Sequence, residues 1–185
     1  MKKLIAAAIL AAAAPLVSAA DYTFDKVHTQ ILFSVSHMGF SNSNGAFVDF
    51  DGSFSFDEKD YSKSKVEVTI DTKSIDMNDA TWNDHMMSEK WFNVAKFPTM
   101  MFKSKSVKKT GDKMFDVMGD LTLKGVTKSV TLKTKLNKVG TQMGKEKAGF
   151  SATATIDRTT FGMDTFAPMI GAEIPIRIEV EGVKK

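Results

Sequence analysis

Few residues in this sequence combine a reactive type with a telling position, and two stand out by their phase. His37 ends a run in which Ile31, Phe33, Val35 and His37 alternate with Leu32, Ser34, Ser36 and Met38, so an imidazole shares a face with three apolar side chains. Arg158 ends the run Phe150, Ala152, Ala154, Ile156 in the same way. A guanidinium so placed needs a partner, either a protein carboxylate or the head group of a ligand. The imidazole is either a core histidine bonded to a neighbour or the polar anchor for one end of a ligand in an apolar tube. A neutral imidazole donates one hydrogen bond and accepts one. That chemistry suits a quinone, amide or alcohol better than a phosphate.

Other chemistries find little support. There is no cysteine, hence no disulfide, thiolate or lipoprotein attachment point. G-x-S-x-G, G-x-G-x-x-G, Walker and H-E-x-x-H motifs are absent, so no catalytic residue is assigned and the chain does not read as an enzyme. His28, His37 and His85 lack a recognised metal-ligand spacing, and no metal residue is assigned. The methionines are scattered, not grouped as M-x-x-M. Soft sulfur suits Cu(I), which leaves a periplasmic Met/His metal-binding stress protein as an alternative; the plainer reading is that Met fills an adaptable apolar interior.

The elements that must position His37 and Arg158 read as strands. Lys2 and Lys3, the apolar run Leu4–Leu16 and the small residues Val17–Ala20 form a signal peptide over residues 1–20, with cleavage after Ala19 or Ala20 and export to the periplasm. Residues 21–185 then make a single domain. The formal charge of +3 falls to +1 (3 − 2) without the two leader lysines, and with charges interspersed there is no field for nucleic acid. No later apolar run approaches the ~20 residues of a membrane helix.

Roughly eight strands follow, each apolar on one face. Val48, Phe50, Gly52, Phe54 and Phe56 alternate with Phe47, Asp49, Asp51, Ser53 and Ser55; Val66, Val68 and Ile70 come next, then Met100 and Phe102. Phe115, Val117, Gly119, Leu121 and Leu123 oppose Asp116, Met118, Asp120 and Thr122. Val130, Leu132 and Leu136 precede the Phe150–Ile156 run, and Ile174, Ile176, Ile178 and Val180 close the chain, with Pro175 marking an edge or bulge. One wet face per strand means an antiparallel barrel or sandwich.

Between Ser74 and Ser104 the alternation stops. Asn and Asp at 76–79 offer caps and turns, and Ala80–Met87 reads as a helix with Trp82, His85 and Met86 on one face. Ser88 opens a second turn bearing Trp91 and Phe92, and Pro98 returns the chain to strand. A helical insertion carrying both tryptophans in an all-β chain reads as a lid or plug for something hollow.

These residues together resemble the YceI-like family of exported proteins. The resemblance runs through Asp25, His28, Ile31, Phe33, Val35, His37, Gly39, then Gly45 and Phe47; through Ser74-Ile75-Asp76, Asp84-His85-Met86, Trp91-Phe92 and Phe97-Pro98; through Gly119–Lys128; and through Gly149-Phe150 to Asp157-Arg158 and Phe161-Gly162. It implies an extended eight-stranded, antiparallel, lipocalin-like β-barrel whose lumen holds a long-chain amphiphilic lipid: a polyisoprenoid, an isoprenoid quinone or a fatty-acid derivative. No cofactor is implied beyond that isoprenoid or acyl lipid, and the barrel is expected as a monomer or homodimer without stable membrane insertion. The family usually carries an Arg-Asp pair where Trp82 and Asn83 stand here, and a Leu at Met86. The ligand-binding set expected in lumen and lid is Phe33, Val35, His37, Phe50 and Phe54; Trp82, His85, Met86 and Phe92; and Phe102, Leu121, Phe150, Ile156 and Arg158. The competing class is an eight-stranded outer-membrane barrel, apolar face outward. Against it, this chain has only two Trp and two Tyr for its aromatic girdles.

Overall fold

The computed structural model describes residues 19–185; the leader expected over 1–20 lies outside them except for Ala19 and Ala20. Eleven strands are present: β1 Ala20–Phe24, β2 Gln30–His37, β3 Ser41–Phe47, β4 Phe50–Phe56, β5 Lys65–Asp71, β6 Ile75–Asp76, β7 Thr99–Gly111, β8 Met114–Leu123, β9 Val126–Gln142, β10 Lys145–Asp157 and β11 Glu173–Lys184, with one α-helix, α1 Ala80–Met87. They make eight staves of a closed antiparallel barrel, because three pairs of short strands each act as one. Both β1 and β2 pair with β11, β3 and β4 are separated only by Val48 and Asp49, and β5 passes through a single 3₁₀ turn into β6. The β1–β11 pairing closes the ring.

Strand phase follows the sequence over most of the wall. Phe50, Phe54, Phe102, Phe115, Val117, Leu121, Leu123 and Phe150 are buried. Two places differ. The second strand is not continuous from 47 to 57: the chain bends at Val48 and Asp49, leaving Val48 66% exposed and turning Phe47 inward. Phe47 was expected on the wet face and Val48 on the dry one; the bend reverses both, as a one-residue slip must. The second difference is β9, expected over 130–136, which runs for 17 residues. Its far end is hidden in the sequence by Lys and Asn and by a register shift at Gly149/Phe150.

The tight turns match the sheet's twist. Lys124-Gly125 and Met143-Gly144 have positive φ at both positions, which splays neither strand. Inside the wall, Gly119 makes room for a ring: a Cβ there would lie 2.5 Å from the Lys103 carbonyl oxygen and 2.6 Å from the Phe102 ring. Pro175 stands where expected, at an edge: the β2–β11 ladder ends at Phe33/Ile176, one residue before it.

One ionic cluster joins the kink between β1 and β2 to the far strands. Lys147 Nζ donates to Asp25 (3.0 Å) and Glu181 (3.2 Å), and His28 Nδ1 lies 3.0 Å from Asp25. The hydrogen bond from His28, then that from Lys147, lowers the Asp25 pKa from 3.8 to about 2. A carboxylate depressed in the folded state stabilises above its unfolded pKa, and the contribution disappears as pH falls from about 4 through 2. Asp25→Asn is therefore expected to cost about 1 kcal/mol at pH 7 after allowance for solvent screening. The gap to wild type should close in urea titrations taken to pH 2; a gap independent of pH contradicts the assignment.

Candidate functional site: an apolar lumen under a helical cap

The insertion leaves and rejoins the wall at one buried point. Thr72, 1% exposed, donates from Oγ1 to the Phe97 carbonyl (2.8 Å), and its N–H reaches Pro98 O (2.9 Å). Asp79 caps α1 by accepting from Trp82 N (2.9 Å), and Asn83 Oδ1 accepts from Met77 N (2.7 Å). Asn83 thus serves the helix entrance, while Trp82 turns to the lumen, 6.4 Å from His37 and edge-on to it. The turn after Ser88 is not a loose flap. Trp91 and Phe92 are buried with the core, and Phe92 packs edge-on against Phe47 at 5.4 Å.

Beneath this cap lies a cavity of about 530 Å³, within the ~300–1,000 Å³ usual for small-molecule sites. All fourteen residues expected in lumen and lid stand on its wall, from Phe33, Val35 and His37 to Ile156 and Arg158. Phe47, Met77, Phe115 and Met163 line it too and were not foreseen as site residues. Phe115 was in phase but unselected; Phe47 was misphased, and nothing in the local pattern marks Met77 or Met163. One end is shut by rings: Phe56 lies 5.0 Å from Phe150, and Tyr61 5.0 Å from Phe115. The other end is edged by His37, Met38, Phe166 and Met169.

Arg158 is 3% exposed, and its partners are neither a carboxylate nor a head group, the two options its sequence position left open. Nε donates to Gly171 O (2.9 Å), Nη1 to Met163 O, and Nη2 to Thr165 O (3.1 Å) and Ile170 O (2.7 Å), while the guanidinium carbon sits 5.1 Å from the centre of the Trp91 ring. Burial draws its pKa down. The residue is a tie for the segment after β10, using four of its five donors on main chain. By contrast Trp91 Nε1 is a buried donor with no partner among the described residues.

The histidines do not converge. His37 is half-buried at the mouth, His85 lies edge-on to Trp91 at 6.0 Å, and His28 belongs to the Asp25 cluster on the outer wall. Asp25, His28 and Glu181 stand within 4.8 Å of one another, with the Lys147 ammonium between the two carboxylates.

The pattern for YceI-like domains matches residues 22–182. The chain belongs to the YceI-like family. Protein YceI of Salmonella arizonae is 45% identical over 170 residues, covering 90% of this chain and 88% of that one. Among solved structures, a Campylobacter jejuni YCEI protein superposes with a TM-score of 0.75 at 31% identity, covering 81% of this YceI-like chain and 90% of its own. Burkholderia cenocepacia BcnA gives 0.79 at 23% identity (85% and 98%), and a polyisoprenoid binding domain from Saccharophagus degradans 0.66 at 13% (90% and 99%). The last two share the fold with it.

Proposed function

We propose that this YceI-like protein is a periplasmic carrier that holds one long-chain amphiphile, a polyisoprenoid, isoprenoid quinone or fatty-acid derivative, in its lumen. The observation that carries the reading is the apolar cavity open at one end, walled by Phe, Ile, Val, Leu and Met. Such a tube needs no catalytic group: burial yields ~0.8 kcal/mol per methylene, less the entropy of immobilising the chain. A fold-mate described as polyisoprenoid binding, and the exported character of residues 1–20, support the same reading. An outer-membrane barrel fits less well. The outward positions carry ion pairs such as Lys103–Glu67 (3.0 Å) and Lys105–Asp120 (2.7 Å), where lipid would require an apolar band. Among the described residues no helix is long and apolar enough to cross a membrane.

The head group is read as uncharged and able to accept a hydrogen bond. The buried cation at this end, Arg158, spends four donors on carbonyls, whereas Trp91 Nε1 is unpartnered and His37 faces Trp82 at the mouth. The test is competition among tails of equal length bearing quinone, amide, carboxylate and phosphate heads. Quinone and amide should bind at least tenfold tighter than phosphate. Trp91→Phe should weaken those two about fivefold, and in the free protein the removal of an unsatisfied buried N–H offsets part of the cost of the smaller ring. A preference for phosphate, or selectivity unchanged in both Trp91→Phe and His37→Ala, contradicts the assignment.

A further inference from the structure

We propose that the mouth of the barrel docks on a lipid bilayer through an uncharged apolar rim formed by the β2–β3 turn and the segment 165–171. The inference rests on the reading that the lumen holds lipid, and it adds the surface from which that lipid is loaded or delivered. Phe40, at the tip of the β2–β3 turn, is 87% exposed and does not line the cavity, so holding a ligand does not account for it. Met38, Phe166 and Met169 stand around the same opening, each more than half exposed. Four large apolar side chains gathered at one opening differ from the scattered exposed hydrophobics of an ordinary surface.

The rim is built, not frayed. Met38 N donates to Met169 O (2.9 Å), which zips the two loops together; Phe40 N reaches His37 O (3.0 Å) and Ile170 N reaches Phe166 O (2.9 Å). From below, Arg158 holds the carbonyls of Met163, Thr165, Ile170 and Gly171. Met38 (φ 54°) and Phe166 (φ 56°) both take the left-handed conformation, which bulky residues seldom adopt.

Charge identifies the partner. A quarter of the chain is Asp, Glu, Lys or Arg, yet none occurs from Val27 to Val48 or from Thr165 to Ala172, the two stretches that supply the rim. A surface entering the acyl boundary must exclude charge, whereas water-facing loops have no such need. Serine and asparagine at 41–44 flank the tip and suit the depth of lipid head groups. The cap on the other side carries Asp79, Asp84, Glu89 and Lys90, so the contact is one-sided and the barrel tilts toward the β2–β3 turn. In that pose the lumen opens toward the bilayer, and a water-insoluble chain passes between them without crossing water.

The test is co-sedimentation of the full mature chain with phosphatidylethanolamine/phosphatidylglycerol vesicles. Wild type should bind, and Phe40→Asp should lower the bound fraction at least fivefold with an unchanged circular dichroism spectrum. Met143→Asp should bind as wild type: Met143 is 97% exposed, but on the β9–β10 turn at the opposite end. Wild type that stays in the supernatant, or Phe40→Asp that sediments like wild type, overturns the proposal. So does a dimer in sedimentation velocity that Phe40→Asp dissolves while vesicles remain unbound, which would make the rim a contact between two copies. Uptake of a pyrene-labelled C16 acyl chain delivered from cyclodextrin separates the two readings. Uptake retained in Phe40→Asp alongside lost vesicle binding supports docking; no uptake by any variant, with vesicle binding still dependent on Phe40, leaves docking standing and removes the carrier reading.

Discussion

Leu121→Asp is expected to cost more than 4 kcal/mol or to prevent folding, while Thr122→Asp stays within about 1 kcal/mol of wild type. Leu121 is buried against the lumen on β8, and a carboxylate there has neither water nor a partner. Thr122 points the other way, its hydroxyl 2.8 Å from that of Thr127 on the outer wall. A single step along a strand reverses the face, so the two substitutions differ only in side. Urea unfolding of both variants checks it, together with the lipid retained by any Leu121→Asp that folds. Equal losses at the two positions would mean that the inner wall has been assigned to the wrong face.

Arg158→Ala should be nearly as damaging, at about 3–5 kcal/mol, for a different reason. It leaves the carbonyls of Met163, Thr165, Ile170 and Gly171 without their donor and opens a void under Trp91. Leaving several buried acceptors unsatisfied costs more than the net value of the bonds they made. Hydrogen exchange should show the damage first at residues 163–171, with β4, β5, β7 and β8 still protected. Should stability fall by less than 1 kcal/mol, the segment's own bonds, such as Ala167 N to Asp164 O (3.0 Å), suffice to hold it.

Much of this architecture is legible because a barrel wall repeats every two residues. The β8 and β10 alternations, the α1 limits and the return to strand after Pro98 all follow from local chemistry: a cap at Asp79, a breaker at Pro98, and rings on one face. The phase at Phe47 was not legible, because the bend at Val48-Asp49 lies inside an unbroken alternation and carries no Gly or Pro to announce it. β1 is not legible because a five-residue strand has few apolar positions to show a period. The role of Arg158 was half legible. Its burial follows from phase, but its partners are carbonyls of a segment 5–13 residues away, and main chain leaves no mark in a sequence. Thr72 shows the same limit: its place as the tie between the two ends of the insertion depends on a contact 25 residues distant.

The central claim is that the lumen holds a lipid, and native mass spectrometry of protein purified from cells without detergent tests it most directly. The account predicts a species heavier than the mature polypeptide, whose adduct leaves on collisional activation and proves, after solvent extraction, to be a long isoprenoid or acyl chain with an uncharged head. Protein that flies only at the bare polypeptide mass, with nothing apolar in the extract, would contradict it.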